Sequence, residues 1–221
     1  MTLVKICGLT NAEDTRMAMD LGADLLGFVN AEGSPRYLTP DEIARIISEV
    51  QPVVPTVLVT HLQDVDQILN NFDAATTDIL QLHAPLTLDD YRRIMEAVPV
   101  VIANVSVDAD QRVLTRELRE RVYRLSEIVS YILLDTRFGG EIGGTGRSYD
   151  WSIAAALKAV SHKPIIIAGG LNSDNVAEAV RQVHPFAVDV SSGVESAPGR
   201  KDVEMMRAFI ENAKMHKYQG A

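Results

Sequence analysis

Runs rich in Val, Ile and Leu recur at 3–6, 24–29, 53–59, 78–82, 99–105, 130–134, 164–168 and 186–190. Each has strand length and is bounded by polar or turn-forming residues, so the pattern predicts eight strands. Longer segments with apolar positions at helical spacing lie between them. The clearest is Leu114, Leu118, Val122 and Leu125, which puts one apolar stripe on one helix face. A last helix is expected over 202–213. Helix starts can be read independently of hydrophobicity. Thr10 with Glu13, Thr39 with Glu42, Thr60 with Gln63 and Thr87 with Asp90 each place a hydroxyl three residues before an acidic or amide side chain, the spacing of a capping box. Pro40 suits a first helical position.

Strands alternating with helices form parallel sheets, because a parallel pair needs a crossover. Eight such units can close on themselves, and the expected fold class is α/β, a (β/α)8 TIM barrel. An open doubly wound sheet is the rival, but Cys7-Gly8-Leu9-Thr10 after the first strand lacks its glycine-rich fingerprint. No Pro-, Gly- or Ser-rich linker divides the chain, so residues 1–221 read as one catalytic domain, with a frayed end after Ala213.

Composition narrows the partners. A formal charge of −9 argues against nucleic acid, whose binding rests on Lys and Arg neutralising phosphates. No apolar run approaches membrane-span length and no charged-then-apolar leader opens the chain, so a soluble, cytoplasmic protein without a membrane partner is expected. The one cysteine, Cys7, excludes an internal disulfide and fits a reducing compartment.

Glycine is unevenly placed. None occurs from Ser34 to Phe138, whereas pairs stand at Gly139-Gly140, Gly143-Gly144 and Gly169-Gly170. Strand seven runs into Gly169-Gly170-Leu171-Asn172 and strand eight into Ser191-Ser192-Gly193-Val194-Glu195. Ser192 with Glu195 has capping-box spacing and predicts a short extra helix. Loops after strands seven and eight with such a helix commonly form a barrel phosphate site, so Gly169, Gly170, Ser191, Ser192 and Gly193 are the expected phosphate ligands. Tight turns alone would also explain these glycines. One site of this kind implies a small substrate with one phosphate end.

Reacting groups of a barrel stand at the C-terminal ends of its strands. Cys7 ends strand one, His83 follows strand four, and Asp135 ends strand six. A lone cysteine is more often a buried spectator than a catalyst, Asp135 could be a cap or a partner for Arg137, and His83 a hydrogen-bonded wall residue. Arg36, behind Pro35, could clamp a carboxylate with two prongs or be a solvated surface side chain. Gly143, Gly144 and Gly146 lie in a long loop suited to a lid.

Lys5-Ile6-Cys7-Gly8-Leu9-Thr10, Gly27-Phe28-Val29, Ser34-Pro35-Arg36, Gln81-Leu82-His83, Leu134-Asp135, Gly143-Gly144-Thr145-Gly146, Tyr149-Asp150-Trp151, Ala168-Gly169-Gly170-Leu171 and Asp189-Val190-Ser191-Ser192-Gly193-Val194-Glu195 resemble, in order, the motifs of the phosphoribosylanthranilate isomerase family. The resemblance runs from the first strand to the last helix. It implies a step of tryptophan biosynthesis, the Amadori rearrangement of N-(5-phosphoribosyl)anthranilate to 1-(2-carboxyphenylamino)-1-deoxyribulose 5-phosphate, without cofactor or metal. It also implies Cys7 as general base, Asp135 as general acid, Arg36 on the anthranilate carboxylate and the loops around Gly170 and Ser192-Gly193 on the phosphate. His83 remains a candidate substrate contact. A thiol in this role needs its pKa pulled modestly down. A monomer or homodimer is expected.

Three positions depart from the family pattern: Ala84-Pro85 after His83, Val57-Leu58-Val59-Thr60 in strand three, and Asn30 where an aromatic residue is common. They bear on the lining of the anthranilate pocket. Rival readings are another sugar-phosphate isomerase or epimerase on the same barrel and a non-catalytic phosphate-ligand sensor. A histidine-pathway isomerase would want two phosphate sites and paired strand-end aspartates. A metal-dependent epimerase would want more His and Asp ligands than His83 and Asp135.

Overall fold

A computed structural model describes residues 1–111, 113–138, 141–142 and 150–215. Its barrel strands are β1 (Leu3–Ile6), β2 (Leu25–Asn30), β3 (Thr56–Thr60), β4 (Ile79–Leu82), β5 (Val101–Asp108), β6 (Tyr131–Phe138), β7 (Ile165–Ile167) and β8 (Ala187–Val190). Neighbours in the chain pair in parallel around the ring, and β8 returns to β1 with Lys5 opposite Asp189 and Ile6 opposite Val190. The sheet is therefore a closed barrel of eight strands.

The helices are α1 (Ala12–Asp20), α2 (Pro40–Val50), α3 (Val65–Ala75), α4 (Leu88–Ala97), α5 (Arg116–Ser126), α6 (Trp151–Lys158), α7 (Val176–Val183) and α8 (Val203–Lys214). Strand pleating sends alternate side chains to opposite faces, and the two faces build two cores. Val4, Ile6, Leu58, Leu80, Ala103 and Leu134 point outward and pack with the helices. Leu25, Val57, Ile79, Ile102, Leu133 and Ile166 point inward and fill the barrel. The inner core closes the lower barrel, so a cavity can open only at the C-terminal ends of the strands.

Two of the four expected capping boxes are present, Thr39 with Glu42 and Thr87 with Asp90, and Pro40 opens α2. The other two are not. Asn11 caps α1 by accepting from the Asp14 amide, while the Thr10 hydroxyl donates to the Gly199 carbonyl. Thr60 is the last residue of β3, and Asp64 caps α3 instead. The box after strand eight also fails: Ser192–Val194 is a short 3-10 turn, and the Glu195 carboxylate is taken by Arg36 and Lys201. Glu195 instead opens a small antiparallel hairpin, Glu195–Ala197 with Arg200–Lys201.

Strands five and six outrun their expected ends at 105 and 134. They pair with each other as far as Asp108 opposite Arg137, and Glu141–Ile142 folds back along the end of β6. Asp135 therefore lies within β6, at the rim of the ring. No helix among the described residues is long and apolar enough to cross a membrane.

Candidate active site

The interior alternation of β1 carries on past its hydrophobic positions. Lys5 and Cys7 face the barrel axis while Val4 and Ile6 face the helices, so a cation and a thiol stand one above the other on one strand. Lys5 is fully buried, and its Nζ donates to both carboxylate oxygens of Asp189 at 3.1 Å. Cys7 is a free thiol at the floor of the mouth, 7% exposed. Burial pushes its pKa up, against the pull of the Lys5 charge. The thiol is thus raised, not lowered as expected from sequence, because the mouth is drier than a strand end suggests.

Asp135 sits across the mouth, 9% exposed. Burial first, and the charge of Asp189 second, raise its carboxyl to about 7. A carboxyl so placed holds a proton near neutral pH and can deliver it.

His83 follows β4 and lines the same cavity. Burial, the nearby His61 and the Lys5 charge lower its pKa to about 3, so the ring is neutral at physiological pH. It stacks on His61 with ring centroids 5.1 Å apart. Gln81 Nε2 lies 2.6 Å from His83 Nε2; with the amide donating, the proton of His83 is on Nδ1. That Nδ1 and Gln81 Oε1 are both buried with no partner among the described residues, and they offer a donor and an acceptor to a polar ligand.

The five expected phosphate residues all line this cavity, which encloses about 490 Å³. Gly169 and Gly170 follow β7 with φ of +84° and +67°, the left-handed region that favours glycine. A Cβ on Gly169 would strike Thr136, and one on Gly193 would strike the Leu171 carbonyl. Absence of side chains here packs the two loops together, leaving their backbone at the cavity surface. The side chain of Asn175 donates to the Gly170 carbonyl at 2.9 Å, and Lys201 Nζ donates to the Ser191 carbonyl at 3.1 Å. Both bonds engage carbonyls, which biases the loop N–H groups toward an anion.

Arg36 enters from the loop after β2. Its Nε and Nη2 donate to the two oxygens of Glu195 at 2.7 and 2.6 Å, a two-pronged pair. Lys201 Nζ donates to the same carboxylate at 2.8 Å. Two cations thus share one anion, leaving positive charge and the outer edge of the guanidinium for a ligand. Arg36 makes a two-pronged carboxylate pair, and its partner within the protein is Glu195.

Site residues not singled out from sequence are Lys5, Gln81, Asp189, Glu195 and Lys201. The period-two register points to the first three, since counting back from Cys7 and His83 and forward from Ala187 places them inward. Glu195 and Lys201 join the site through a hairpin whose turn is marked by Pro198-Gly199, but no local signal places it at the mouth. Gly143, Gly144 and Gly146, the expected lid, lie outside the described residues. Asn30 is turned away from the cavity: it donates to the Leu38 carbonyl and accepts from Asn71, tying the loop after β2 to α3. Ala84 is buried and Pro85 exposed, and neither lines the cavity, though Val59 of β3 does. Among the described residues no three His, Cys, Asp or Glu side chains gather as a metal-ligand set.

A closed eight-strand barrel whose polar side chains converge at the C-terminal ends of its strands defines a (β/α)8-barrel enzyme. The family model described as N-(5'-phosphoribosyl)anthranilate (PRA) isomerase matches residues 4–212, and the chain belongs to that family. The N-(5'-phosphoribosyl)anthranilate isomerase of Pelobacter propionicus is 42% identical over 214 residues, 97% of this chain and 96% of that one. The crystal structure of phosphoribosyl anthranilate isomerase from Thermotoga maritima is 37% identical with a TM-score of 0.86, covering 97% of this chain and 100% of that one. A phosphoribosyl anthranilate isomerase in complex with reduced 1-(o-carboxyphenylamino)-1-deoxyribulose 5-phosphate is 36% identical with a TM-score of 0.83, over 97% and 100% of the two chains.

Proposed function

We propose that the chain catalyses the Amadori rearrangement of N-(5-phosphoribosyl)anthranilate to 1-(2-carboxyphenylamino)-1-deoxyribulose 5-phosphate, a step of tryptophan biosynthesis. The observation that carries this reading is the pairing of a carboxyl at about 7, Asp135, with a thiol, Cys7, across one cavity rimmed by the β7 and β8 loops.

Neutral Asp135 gives its proton to the ribose ring oxygen. The C1′–O bond breaks, the anthranilate nitrogen supplies the electron pair, and a protonated Schiff base forms. The Cys7 thiolate takes the proton on C2′, and the C2′–H electrons flow to the iminium as an enolamine. That enolamine tautomerises to the ketone, gaining a proton at C1′ and losing one from the C2′ hydroxyl. No electrons enter or leave, so no redox partner is called for. The backbone at Gly169, Gly170 and Ser191 to Gly193 holds the phosphate, and Arg36 the anthranilate carboxylate. Fixing both ends orients C2′ between acid and base, which can supply much of the rate. The neutral edge of His83, with Gln81, meets the sugar hydroxyls.

With Asp135 at about 7 and Cys7 raised, neutral carboxyl with thiolate is the less populated of the two singly protonated forms. Activity against pH should be bell-shaped, since the doubly protonated and doubly ionised sites are both idle. The test is turnover followed as loss of anthranilate fluorescence, with a chelator present. Cys7→Ser and Asp135→Asn should each lower kcat by about a thousandfold or more while the reduced product analogue still binds. Full activity in both variants would sink the acid and base assignment, and no turnover by the parent chain would sink the reaction.

A further inference from the structure

Lys5 lies on β1, Cys7 follows the end of that strand two residues on, and the neighbouring strand β2 supplies Gly27. A Cβ there would lie 2.9 Å from Cys7 Sγ and 3.1 Å from Lys5 Cε. The missing side chain is what lets the ammonium chain and the thiol occupy the same small space. Asp189 is the register partner of Lys5 on β8, and the two are joined at 3.1 Å with 0% and 7% of their surface exposed. A buried ion pair is a poor source of stability, because desolvating two charges offsets most of their attraction. Its place directly under the reacting thiol calls for another use.

We propose that Lys5 is a positioning residue for Cys7: its ammonium is the fixed positive charge that holds the thiolate, and Asp189 keeps that ammonium protonated inside the barrel while offsetting part of its pull. The proposal rests on Cys7 acting as the base. Burial alone would lower the Lys5 pKa, but Asp189 and Cys7 outweigh it and the group is raised. Other charges face the thiol from Lys201 on the hairpin and from Arg36 after β2, and Asp135 faces the mouth from β6. Both of those outer cations are committed to Glu195. Lys5 acts on the thiol more strongly than Asp189 does. Removing the Asp189 charge alone takes away what keeps the buried ammonium protonated, so that change and the removal of both charges should each hinder ionisation of Cys7.

Cys7 is the only cysteine, so its alkylation rate by iodoacetamide against pH reads this one thiolate and needs no substrate. Asp189→Asn should move the alkylation midpoint up by about one pH unit, because the buried amine loses its charge and no longer holds the thiolate. Lys5→Met combined with Asp189→Asn, which strands no buried charge, should move it up by about one unit from the parent. The limb of kcat/KM against pH that reports Cys7 should follow in each variant that turns over. If Asp189→Asn does not fold, the paired variant decides alone. Midpoints agreeing to within about 0.3 units across the parent and the folded variants would overturn the proposal. Shifted midpoints without turnover in the parent would leave Lys5 standing and sink the isomerase reading. Unshifted midpoints with full turnover would do the reverse.

Discussion

Burial of the Asp135 carboxyl and the nearby charge of Asp189 raise its pKa from 3.8 to about 7, and that shift has a thermodynamic cost as well as a catalytic use. In the unfolded chain the group ionises near its ordinary value, whereas in the folded chain it keeps its proton to about 7. Between those two values the folded state binds more protons than the unfolded state, so stability falls as pH rises through that window and stays low above it. The displacement corresponds to about 4 kcal/mol at most, at 1.36 kcal/mol per unit. Asp135→Asn keeps the shape and removes the charge. It should raise Tm at pH 8 by several degrees and change it little at pH 4, while catalysis collapses. Equal Tm shifts at the two pH values would mean that ionisation of Asp135 is not what destabilises the site. Cys7 follows the same logic in the alkaline range, since its thiol is also raised by burial.

Helix ends show a second local compromise, tied to the long stretch without glycine. α2 and α3 end on Gln51 and Thr76 with φ of +50° and +54°, and α7 ends on His184 at +48°. A left-handed residue at this position is a common helix stop, and glycine usually supplies it. Thr76 is β-branched and exposed, so its side chain gains nothing that repays the backbone strain. Thr76→Gly should stabilise the fold by about 0.5–1 kcal/mol, the relief of strain exceeding the added freedom of the unfolded chain. Thermal melts that show no gain, or a loss, would mean Thr76 makes a contact that offsets its conformation. Strands and helices were legible from periodicity because burial on one face needs that pattern. Caps were legible only in part, because Thr10 and Thr60 have the right spacing but spend their hydroxyls elsewhere, on the Gly199 carbonyl and the Leu62 amide. Cys7, Asp135, Arg36 and the β7 and β8 glycines could be named from strand ends and motif. The Arg36, Glu195 and Lys201 triad could not, since its members meet only when the barrel closes.

Closure itself links the site to global stability. β8 pairs with β1, so the first and last strands meet at one seam, and the mouth residues Cys7, Asp189 and Ser191 to Gly193 lie along it. Arg36 belongs to the loop after β2, and its side chain crosses over the end of β1 at Gly8 to reach Glu195 beside the β8 loop. A ligand held by its carboxylate on Arg36 and its phosphate on Gly170 and Gly193 would span that seam and bind only the closed ring. A ligand that binds the folded state alone adds about 2.7 kcal/mol at one hundred times its Kd. For a chain of 221 residues that corresponds to a rise in Tm of roughly 5–10 °C. The reduced product analogue should give this shift, and inorganic phosphate at equal concentration a much smaller one. Arg36→Met should abolish most of the difference between the two ligands, because only the analogue has a carboxylate for Arg36 to hold. Lys201 remains to pair with Glu195 in that variant, so the hairpin should stay in place. Equal shifts from phosphate and analogue in the parent chain, or an unchanged difference in Arg36→Met, would show that the phosphate end alone carries the binding. The carboxylate would then have to be held elsewhere along the mouth, with His61 and His83 the nearest wall to examine.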